Sequence, residues 1–263
     1  MSSKLIVKNL CFKDILKDIN FELKEGTINI LIGSNGSGKT ILLKSLMGLV
    51  NYKGIITING MTINKDNVDL IRKDFGIYLG LTNLENKNIF LNLNEPLKNL
   101  NYKESEAIKK IYDLSKKLGI EDLLYKEIET LSYSQKKVVS FAQSIIHEPS
   151  VILIDGLFDS LDNFYKDKIV AYLKHLRKNK KSIILFATNN EEDLSFSDSI
   201  LIIKNGQISI NDNFKNFTKN ENVFSENDIK LPFIVDLVYK LRIYGLVDDL
   251  IYNIDEMVDK IWK

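Results

Sequence analysis

The sequence predicts an α/β fold with a parallel core sheet and an antiparallel β flap. The β-branched run Thr27–Ile32 reads as a buried strand, and a glycine-rich turn then leads into a helical pattern at residues 41–47. Two further dense apolar runs, Val151–Asp155 and residues 182–187, are typical of strands buried on both faces of a parallel sheet. Short alternating runs between polar turns predict the strands of the flap, at residues 4–7, 19–23 and 55–58.

Apolar periodicity and turn residues place the remaining elements. They predict helices at residues 103–118, 131–147 and 163–178, and a hairpin that joins 199–203 to 207–210 around Asn205 and Gly206. Near residues 233–241 and 254–262, apolar residues at i, i+4 spacing predict two amphipathic helices. Their apolar faces need cover, which either the core of the same chain or another protein would supply.

The length of 263 residues allows one large domain or one domain with an appendage. We expect a main domain over residues 1–220, with a helical subdomain at about 82–147, and a C-terminal helical extension over residues 221–263. A polar, Asn-rich stretch runs from residue 82 to residue 101.

Composition excludes several classes of function. A net charge of +1 gives no long-range attraction to nucleic acid or to an anionic membrane, so no nucleic-acid partner is expected. Cys11 is the single cysteine, which rules out a disulfide framework and a thiolate metal cluster and fits a reducing cytosol. The N-terminus lacks an apolar signal core, and no apolar run is long enough to cross a bilayer. Any membrane contact is expected to go through a partner.

A phosphate-binding loop is the strongest motif in the chain. It satisfies the pattern G-x-x-x-x-G-K-[ST], follows a predicted strand and opens a predicted helix. Such a loop points backbone N–H groups and the positive helix N-terminus at a phosphate. Lys39 would reach the β- and γ-phosphates and Thr40 would hold Mg²⁺; the alternative is a glycine-rich surface turn. The loop consists of Gly33, Ser34, Asn35, Gly36, Ser37, Gly38, Lys39 and Thr40.

Asp155 closes the apolar run Val151–Asp155. In doubly wound sheets, ligands bind at the carboxyl ends of the strands, which is where this carboxylate would lie. Since the phosphate loop follows another strand of the same sheet, we expect Asp155 to be a second Mg²⁺ ligand beside Thr40. The alternative is that Asp155 caps the N-terminus of a helix.

Together these segments resemble the ATP-binding subunit of ABC transporters over nearly the whole chain. Residues 33–40 match the family's Walker A motif and Val151–Asp155 matches Walker B. Residues 131–135 occupy the place of the L-S-G-G-Q signature, and Ser160, Leu161 and Asp162 match the D-loop. The tail, with Lys230-Leu231-Pro232-Phe233, looks like the helical extension of energy-coupling factor (cobalt- or vitamin-type) transporter ATPases. The resemblance implies a P-loop NTPase fold with a RecA-like core.

The resemblance also implies cofactors, partners and a location. Such subunits bind ATP and Mg²⁺ and form dimers in which each site uses Walker A and B of one subunit and the signature of the other. Ser132, Gln135 and Asp162 would contribute to the shared sites, and Phe12 stands roughly where an aromatic stacks on adenine. Phe12 is equally interpretable as a core residue. A transmembrane transporter subunit would hold the dimer, homo- or heteromeric, on the inner face of the cell membrane.

Departures from the family pattern fall on the residues that would cleave ATP. Gly156 replaces the catalytic glutamate, Asn189 replaces the switch histidine and Gly80 replaces the Q-loop glutamine. Tyr133 and Ser134 replace the two signature glycines. We therefore expect ATPase chemistry by resemblance but slow hydrolysis, because glycine cannot orient or deprotonate a water.

Three functions remain open at the level of the sequence. The leading one is an ATP-binding subunit of an energy-coupling factor importer that works beside a complete paralogue. The second is a soluble, non-transport ABC-type pseudo-ATPase that acts as a nucleotide-gated regulatory or assembly subunit. The third is an active homodimeric ATPase that uses another carboxylate, such as Asp159, Glu191 or Glu192.

Overall fold

The computed structural model of the protein describes residues 4–81, 84–219, 222–247, 251 and 257–258. In this part of the chain, ten strands form two sheets. The strands are β1 (Lys4–Phe12), β2 (Leu16–Lys24), β3 (Thr27–Ile32), β4 (Lys53–Ile58), β5 (Met61–Thr62), β6 (Phe75–Tyr78), β7 (Val151–Asp155), β8 (Ile183–Thr188), β9 (Ser199–Lys204) and β10 (Gln207–Asn213).

The larger sheet has the order β10-β9-β3-β8-β7-β6. Strands β9, β3, β8, β7 and β6 pair in parallel, and β10 pairs antiparallel with β9 at one edge. In this order β3, which precedes the phosphate loop, is separated from β7, which ends at Asp155, by β8 alone. The carboxyl ends of β3, β8 and β7 therefore lie side by side at one edge of the sheet.

Both faces of the larger sheet are buried, as the dense apolar runs predict. Successive side chains of a strand point to opposite faces. Ile152 and Ile154 of β7 accordingly belong to one apolar cluster, whereas Val151 and Leu153 belong to the other. This explains why the strand shows no polar alternation in the sequence.

The smaller sheet is the predicted antiparallel flap, with the order β2-β1-β4-β5. Leu5 and Val7 of β1 share an apolar cluster with Leu31 of β3 and with Leu42 on the helix that follows the phosphate loop. The flap thus covers one face of the core sheet. The short strand β5 was not predicted from the sequence.

Nine α-helices surround the sheets in the described residues. They are α1 (Lys39–Leu46), α2 (Val68–Arg72), α3 (Ile89–Asn99), α4 (Glu104–Leu118), α5 (Tyr133–Ile145), α6 (Asn163–Lys180), α7 (Phe214–Phe217), α8 (Asn222–Glu226) and α9 (Phe233–Ile243). Short 3₁₀ turns lie at Glu121–Leu123, Ile128–Thr130 and Glu191–Phe196.

Helix α3 lies in the polar, Asn-rich stretch, where no helix was predicted. The side chain of Asn88 accepts a hydrogen bond from Leu91 N and so caps the helix. The buried Asn92 donates from Nδ2 to Asn86 O at 3.0 Å and to Asn88 O at 2.8 Å. Asn88 therefore caps the helix, and Asn92 connects the helix by hydrogen bonds to the segment that precedes it.

The C-terminal extension packs on the core sheet with one side of α9. Ile234, Val235 and Val238 are buried in the same apolar cluster as Ile152, whereas the Phe233 side chain is 60% exposed. The core of the same chain thus covers part of the extension. The predicted domain boundary at residues 220–221, and most of the predicted helix at 254–262, lie outside the described residues.

None of the helices in the described ranges combines the length and the apolar character that crossing a membrane requires.

Candidate functional site

The phosphate loop connects the end of β3 to the start of α1, as its motif requires. A Cβ on Gly33 would lie 2.3 Å from the backbone oxygen of Ile203, which excludes a side chain there, whereas one on Gly38 would meet only the end of the Leu16 side chain, at 2.8 Å. Gly38 also has φ of 108°, a left-handed conformation that favours glycine, and it caps α1. The first N–H groups of α1 have no partner within the helix and point toward the loop.

Lys39 folds back into the loop that precedes it. Its Nζ donates to Gly33 O at 2.6 Å and to Ser34 O at 3.1 Å. Burial lowers the pKa of the Lys39 ammonium, while the charges of Asp155 and Asp159 act in the opposite direction. A poorly solvated cation at this position gains from the approach of a phosphate.

Thr40 and Asp155 meet as the motifs predict. The Thr40 hydroxyl donates to Asp155 Oδ2 at 2.5 Å, although the two residues are 115 positions apart in the sequence. A hydroxyl and a carboxylate oxygen in contact are two adjacent hard oxygen ligands of the type that Mg²⁺ prefers. Among the residues that the structure describes, no group of three or more His, Cys, Asp or Glu side chains could hold a metal by itself. This pair would therefore hold Mg²⁺ together with phosphate oxygens.

A cavity of about 350 Å³ opens over this pair and the phosphate loop. Its lining fits a phosphate-bearing ligand. Asn35, Gly36, Gly38, Lys39 and Thr40 of the loop line it together with Asp155, and a Cβ on Gly36 would meet nothing within 4 Å. The remaining wall comes from other parts of the chain: Ile15, Ile41, Gly156, Asp159, Ala187, Thr188 and Asn189.

Asn189 lies in the cavity wall opposite the phosphate loop. Its Nδ2 donates to Asn35 Oδ1 at 3.4 Å, so the side chain bridges the end of β8 to the loop. An amide here can donate a hydrogen bond to a phosphate but carries no charge.

A buried network that the sequence analysis missed fixes the backbone next to Asn189. The Thr188 hydroxyl donates to Asp193 Oδ2 at 2.7 Å, and Lys166 Nζ pairs with Asp193 Oδ1 at 2.7 Å. Asp193 is fully buried, and burial raises its pKa while Lys166 opposes that shift. No motif marks Asp193; the only sequence signal is a carboxylate closely following a buried strand.

Gly156 directly follows Asp155 and adopts φ of +60°. A Cβ on Gly156 would lie 3.0 Å from Asp159 Oδ2. The carboxylate of Asp159 thus approaches the point where a side chain at position 156 would begin. A left-handed backbone of this kind favours glycine.

Lys137 of α5, which the sequence analysis also missed, holds the turn that follows Asp155. Its Nζ donates to Gly156 O at 3.1 Å and to Asp159 O at 2.6 Å. The side chain is only 4% exposed, and burial lowers its pKa. Two carbonyl acceptors compensate part of the cost of burying the charge.

Ser132 and Gln135 lie at the start of α5 and form a capping box. Gln135 N donates to Ser132 Oγ at 3.2 Å, and Ser132 N donates to Gln135 Oε1 at 2.9 Å. Neither lines the cavity over the phosphate loop. The neighbouring Tyr133 side chain is 58% exposed, and the Ser134 hydroxyl accepts from Asp162 N at 3.3 Å.

The other predicted site residues lie outside the cavity wall. Phe12 is half-buried and packs against the cluster under the flap, whereas Ile15, three residues later, lines the cavity. Asp162 is the N-cap residue of α6. Gly80 follows β6 with φ of +101°. The roles of Phe12 and Asp162 in nucleotide binding stay predictions.

Comparisons with known proteins match these segments. A family model described as ABC transporter matches residues 16–158, which include the phosphate loop and Asp155. The energy-coupling factor transporter ATP-binding protein EcfA1 of Ureaplasma parvum is 30% identical, covering 95% of this chain and 86% of its own length. The protein of the same name from Mesomycoplasma hyopneumoniae strain J is 29% identical, covering 95% of this chain and 91% of its own.

A solved structure shows the same fold. CbiO1 of Clostridium perfringens, described as part of the ABC transporter complex CbiONQ, superposes with a TM-score of 0.74 at 25% identity. The alignment covers 89% of this chain and 98% of that one. The similarity therefore extends beyond the residues that the family model matches.

Proposed function

The chain belongs to the ABC transporter family of ATP-binding proteins, and from this premise we propose that it is the ATP-binding subunit of an energy-coupling factor importer. The observation that carries the proposal is the contact between Thr40 and Asp155 beside the phosphate loop. It joins the two motifs that bind MgATP in one cavity. The printed names of the relatives supply the class of transporter.

Several residues around the cavity would contribute to binding. Lys39 would exchange its contacts with Gly33 O and Ser34 O for the β- and γ-phosphates. Thr40 and Asp155 hold Mg²⁺, which neutralises charge on the phosphates when bound. Asn189 donates a neutral hydrogen bond from the facing wall.

The proposed partners are a second ATPase subunit and a transmembrane transporter subunit. Ser132 and Gln135 cap α5 away from the cavity of their own chain, which leaves the signature segment available for the nucleotide of a partner. Closure of such a dimer on ATP would move a membrane protein bound to it. The chain would then be cytoplasmic and peripheral, on the inner face of the cell membrane.

We further propose that the chain alone hydrolyses ATP slowly. General-base catalysis contributes roughly 10²–10⁴-fold, and position 156 offers no carboxylate. Asn189 cannot supply positive charge to the γ-phosphate. In a homodimer, Tyr133 would stand where the family keeps a glycine that lets backbone N–H groups approach phosphate.

Affinity purification of the tagged full-length chain from its own cells, followed by mass spectrometry, tests the proposal. We expect a second ABC-type ATPase and a multi-spanning membrane protein in the eluate. Lys44→Ala, on α1 but outside the cavity wall, is the matched control for Lys39→Ala, which should lose ATP-dependent association. Recovery of soluble proteins alone would contradict the transport function and favour the regulatory pseudo-ATPase.

A further inference from the structure

Gly156 and Asp159 lie at the two ends of a tight turn that lines the cavity. The left-handed Gly156 leaves an open position beside Asp155, and Asp159 Oδ2 lies 3.0 Å from where its Cβ would be. Both residues share the cavity wall with Lys39 and Thr40. The charge of Asp159 acts on Lys39, which places the carboxylate within electrostatic reach of the phosphate-binding ammonium.

The other carboxylates near this end of the sheet are engaged elsewhere. Glu191 Oε1 accepts from Lys230 N at 3.2 Å, and Glu192 Oε1 accepts from Phe233 N at 2.8 Å. Asp193 is buried against Lys166 and Thr188. The structure therefore separates Asp159, in the cavity wall, from Glu191 and Glu192, which hold the C-terminal extension.

Lys137 fixes the backbone from which Asp159 projects. It donates to the carbonyls at both ends of the turn, Gly156 and Asp159, from a buried position on α5. A turn held at two points has less freedom to carry the Asp159 side chain away from the cavity. Lys137 is accordingly a positioning residue for Asp159.

We propose that Asp159 supplies the carboxylate that position 156 lacks and accepts a proton from the water that attacks ATP. This rests on the proposed function as an ATP-binding subunit. The water oxygen bonds to the γ-phosphorus while the bond from that phosphorus to the β–γ bridging oxygen breaks. The electron pair of that bond remains on ADP. Asp159 takes one water proton and releases it to solvent, so the products are ADP and inorganic phosphate.

This assignment agrees with slow turnover. Asp159 lies three residues after position 156, where the family keeps its glutamate. Its side chain is also one methylene shorter than that of glutamate. A base that approaches from a different backbone position aligns a water less well, and misplacement by about 1 Å can cost on the order of 10²-fold. Residual hydrolysis would depend on Asp159, and ATP binding would not.

The test uses the full-length chain with γ-labelled ATP and Mg²⁺. Asp159→Asn keeps the size of the side chain but cannot accept the proton, so turnover should fall by at least about tenfold. Calorimetric ATP affinity should stay within about threefold of wild type, which is less than 0.7 kcal/mol. After gel filtration, the bound nucleotide of Asp159→Asn should be mainly ATP, where the wild type retains ADP.

A conservative variant and a control variant test the assignment of Asp159 further. Asp159→Glu, which keeps a carboxylate, should retain more turnover than Asp159→Asn, and Asp167→Asn on the exposed face of α6 should behave as wild type. Equal turnover in wild type and Asp159→Asn, or wild-type turnover no higher than that of Lys39→Ala, would overturn the assignment of Asp159. Failure of the wild type to bind MgATP at all would instead overturn the proposed function.

Discussion

The Thr40 hydroxyl lies 2.5 Å from Asp155 Oδ2 and joins the phosphate loop to the strand that ends at Asp155. The contact spans β8, the strand between β3 and β7 in the central sheet. It places two oxygen ligands at the carboxyl edge of the sheet, where the cavity opens.

Lys39→Ala should weaken MgATP binding by at least about tenfold, which is about 1.4 kcal/mol. The reason is the loss of a partly desolvated cation that lies against the loop carbonyls of Gly33 and Ser34. Lys44→Ala removes a cation from the same helix outside the cavity and should leave affinity unchanged. Titration calorimetry measures both variants. Equal affinities for Lys39→Ala and wild type would contradict the role of Lys39.

Gly156→Glu should restore little hydrolysis and should destabilise the protein. A non-glycine residue at φ of +60° costs roughly 1–2 kcal/mol, and the new Cβ would lie 3.0 Å from Asp159 Oδ2. Gly60→Ala is a matched control, since its φ is +82° and a Cβ there meets nothing within 4 Å.

Urea denaturation and phosphate release measure these two effects. The free energy of unfolding should fall more for Gly156→Glu than for Gly60→Ala, because only the former adds a carboxylate next to Asp159. If Gly156→Glu were as stable as the wild type and its turnover rose by roughly 10²-fold or more, the turn would be shown to accept a glutamate.

Two substitutions in the C-terminal extension, Val238→Ala and Phe233→Ala, should distinguish a residue that stabilises the fold from a residue that contacts a partner. Val238 is fully buried, and loss of two methyl groups should lower the free energy of unfolding by about 1–2 kcal/mol. Phe233 is 60% exposed, so Phe233→Ala should leave stability nearly unchanged and weaken association if the extension binds a partner. Urea denaturation and light scattering give the two readouts. Unaltered self-association and partner binding in Phe233→Ala would exclude this side chain from an interface.

Deletion of residues 221–263 should destabilise the remaining core. Ile234 and Val235 are buried with Val238 against the core, and Glu191 and Glu192 accept hydrogen bonds from the extension. Circular dichroism and thermal denaturation check the expectation. A truncated chain as stable as the full one would show that these contacts contribute nothing.

Acidification should destabilise the protein through His147. Burial lowers the pKa of His147, with the Phe75 backbone and Asp74 acting in the opposite direction. The unfolded histidine, with a pKa of about 6.5, then takes up its proton at a higher pH than the folded one. The free energy of unfolding therefore keeps its full value above about pH 6.5. It falls as the pH drops through about 6.5 toward the lower pKa of the folded histidine.

The free energy of unfolding at about pH 7.5 and pH 5.5, for wild type, His147→Gln and His175→Gln, checks this prediction. His147→Gln should remove more of the acid-induced loss than His175→Gln, because both ring nitrogens of His147 are buried, whereas His175 Nδ1 contacts Asn179 Nδ2 at 2.9 Å at an exposed position. The same loss in all three proteins would assign the effect to other groups.

Local patterns in the sequence determined the phosphate loop and the buried strands, whereas the contact of Thr40 with Asp155 also required the sheet order that places β3 and β7 on either side of β8. These features depend on short segments whose residue types admit few alternatives, such as glycines at crowded turns and a carboxylate after an apolar run. The antiparallel flap follows from short runs of alternating apolar and polar residues, and the hairpin follows from the turn formed by Asn205 and Gly206. The sequence also showed that position 156 lacks a side chain.

Only the tertiary structure decided which groups surround that position. Lys137, Asp159 and Asp193 are unremarkable lysines and aspartates in the sequence, and their roles depend on which turns the sheet order brings together. Glu191 and Glu192 were as plausible as Asp159 until their carboxylates proved to bind the extension. Helix α3 was not predicted because its many asparagines favoured a polar loop, although Ile89, Leu93 and Leu97 repeat at i, i+4 spacing and are buried. Burial, charge and distance at these residues arise from contacts between remote segments, which local composition does not encode.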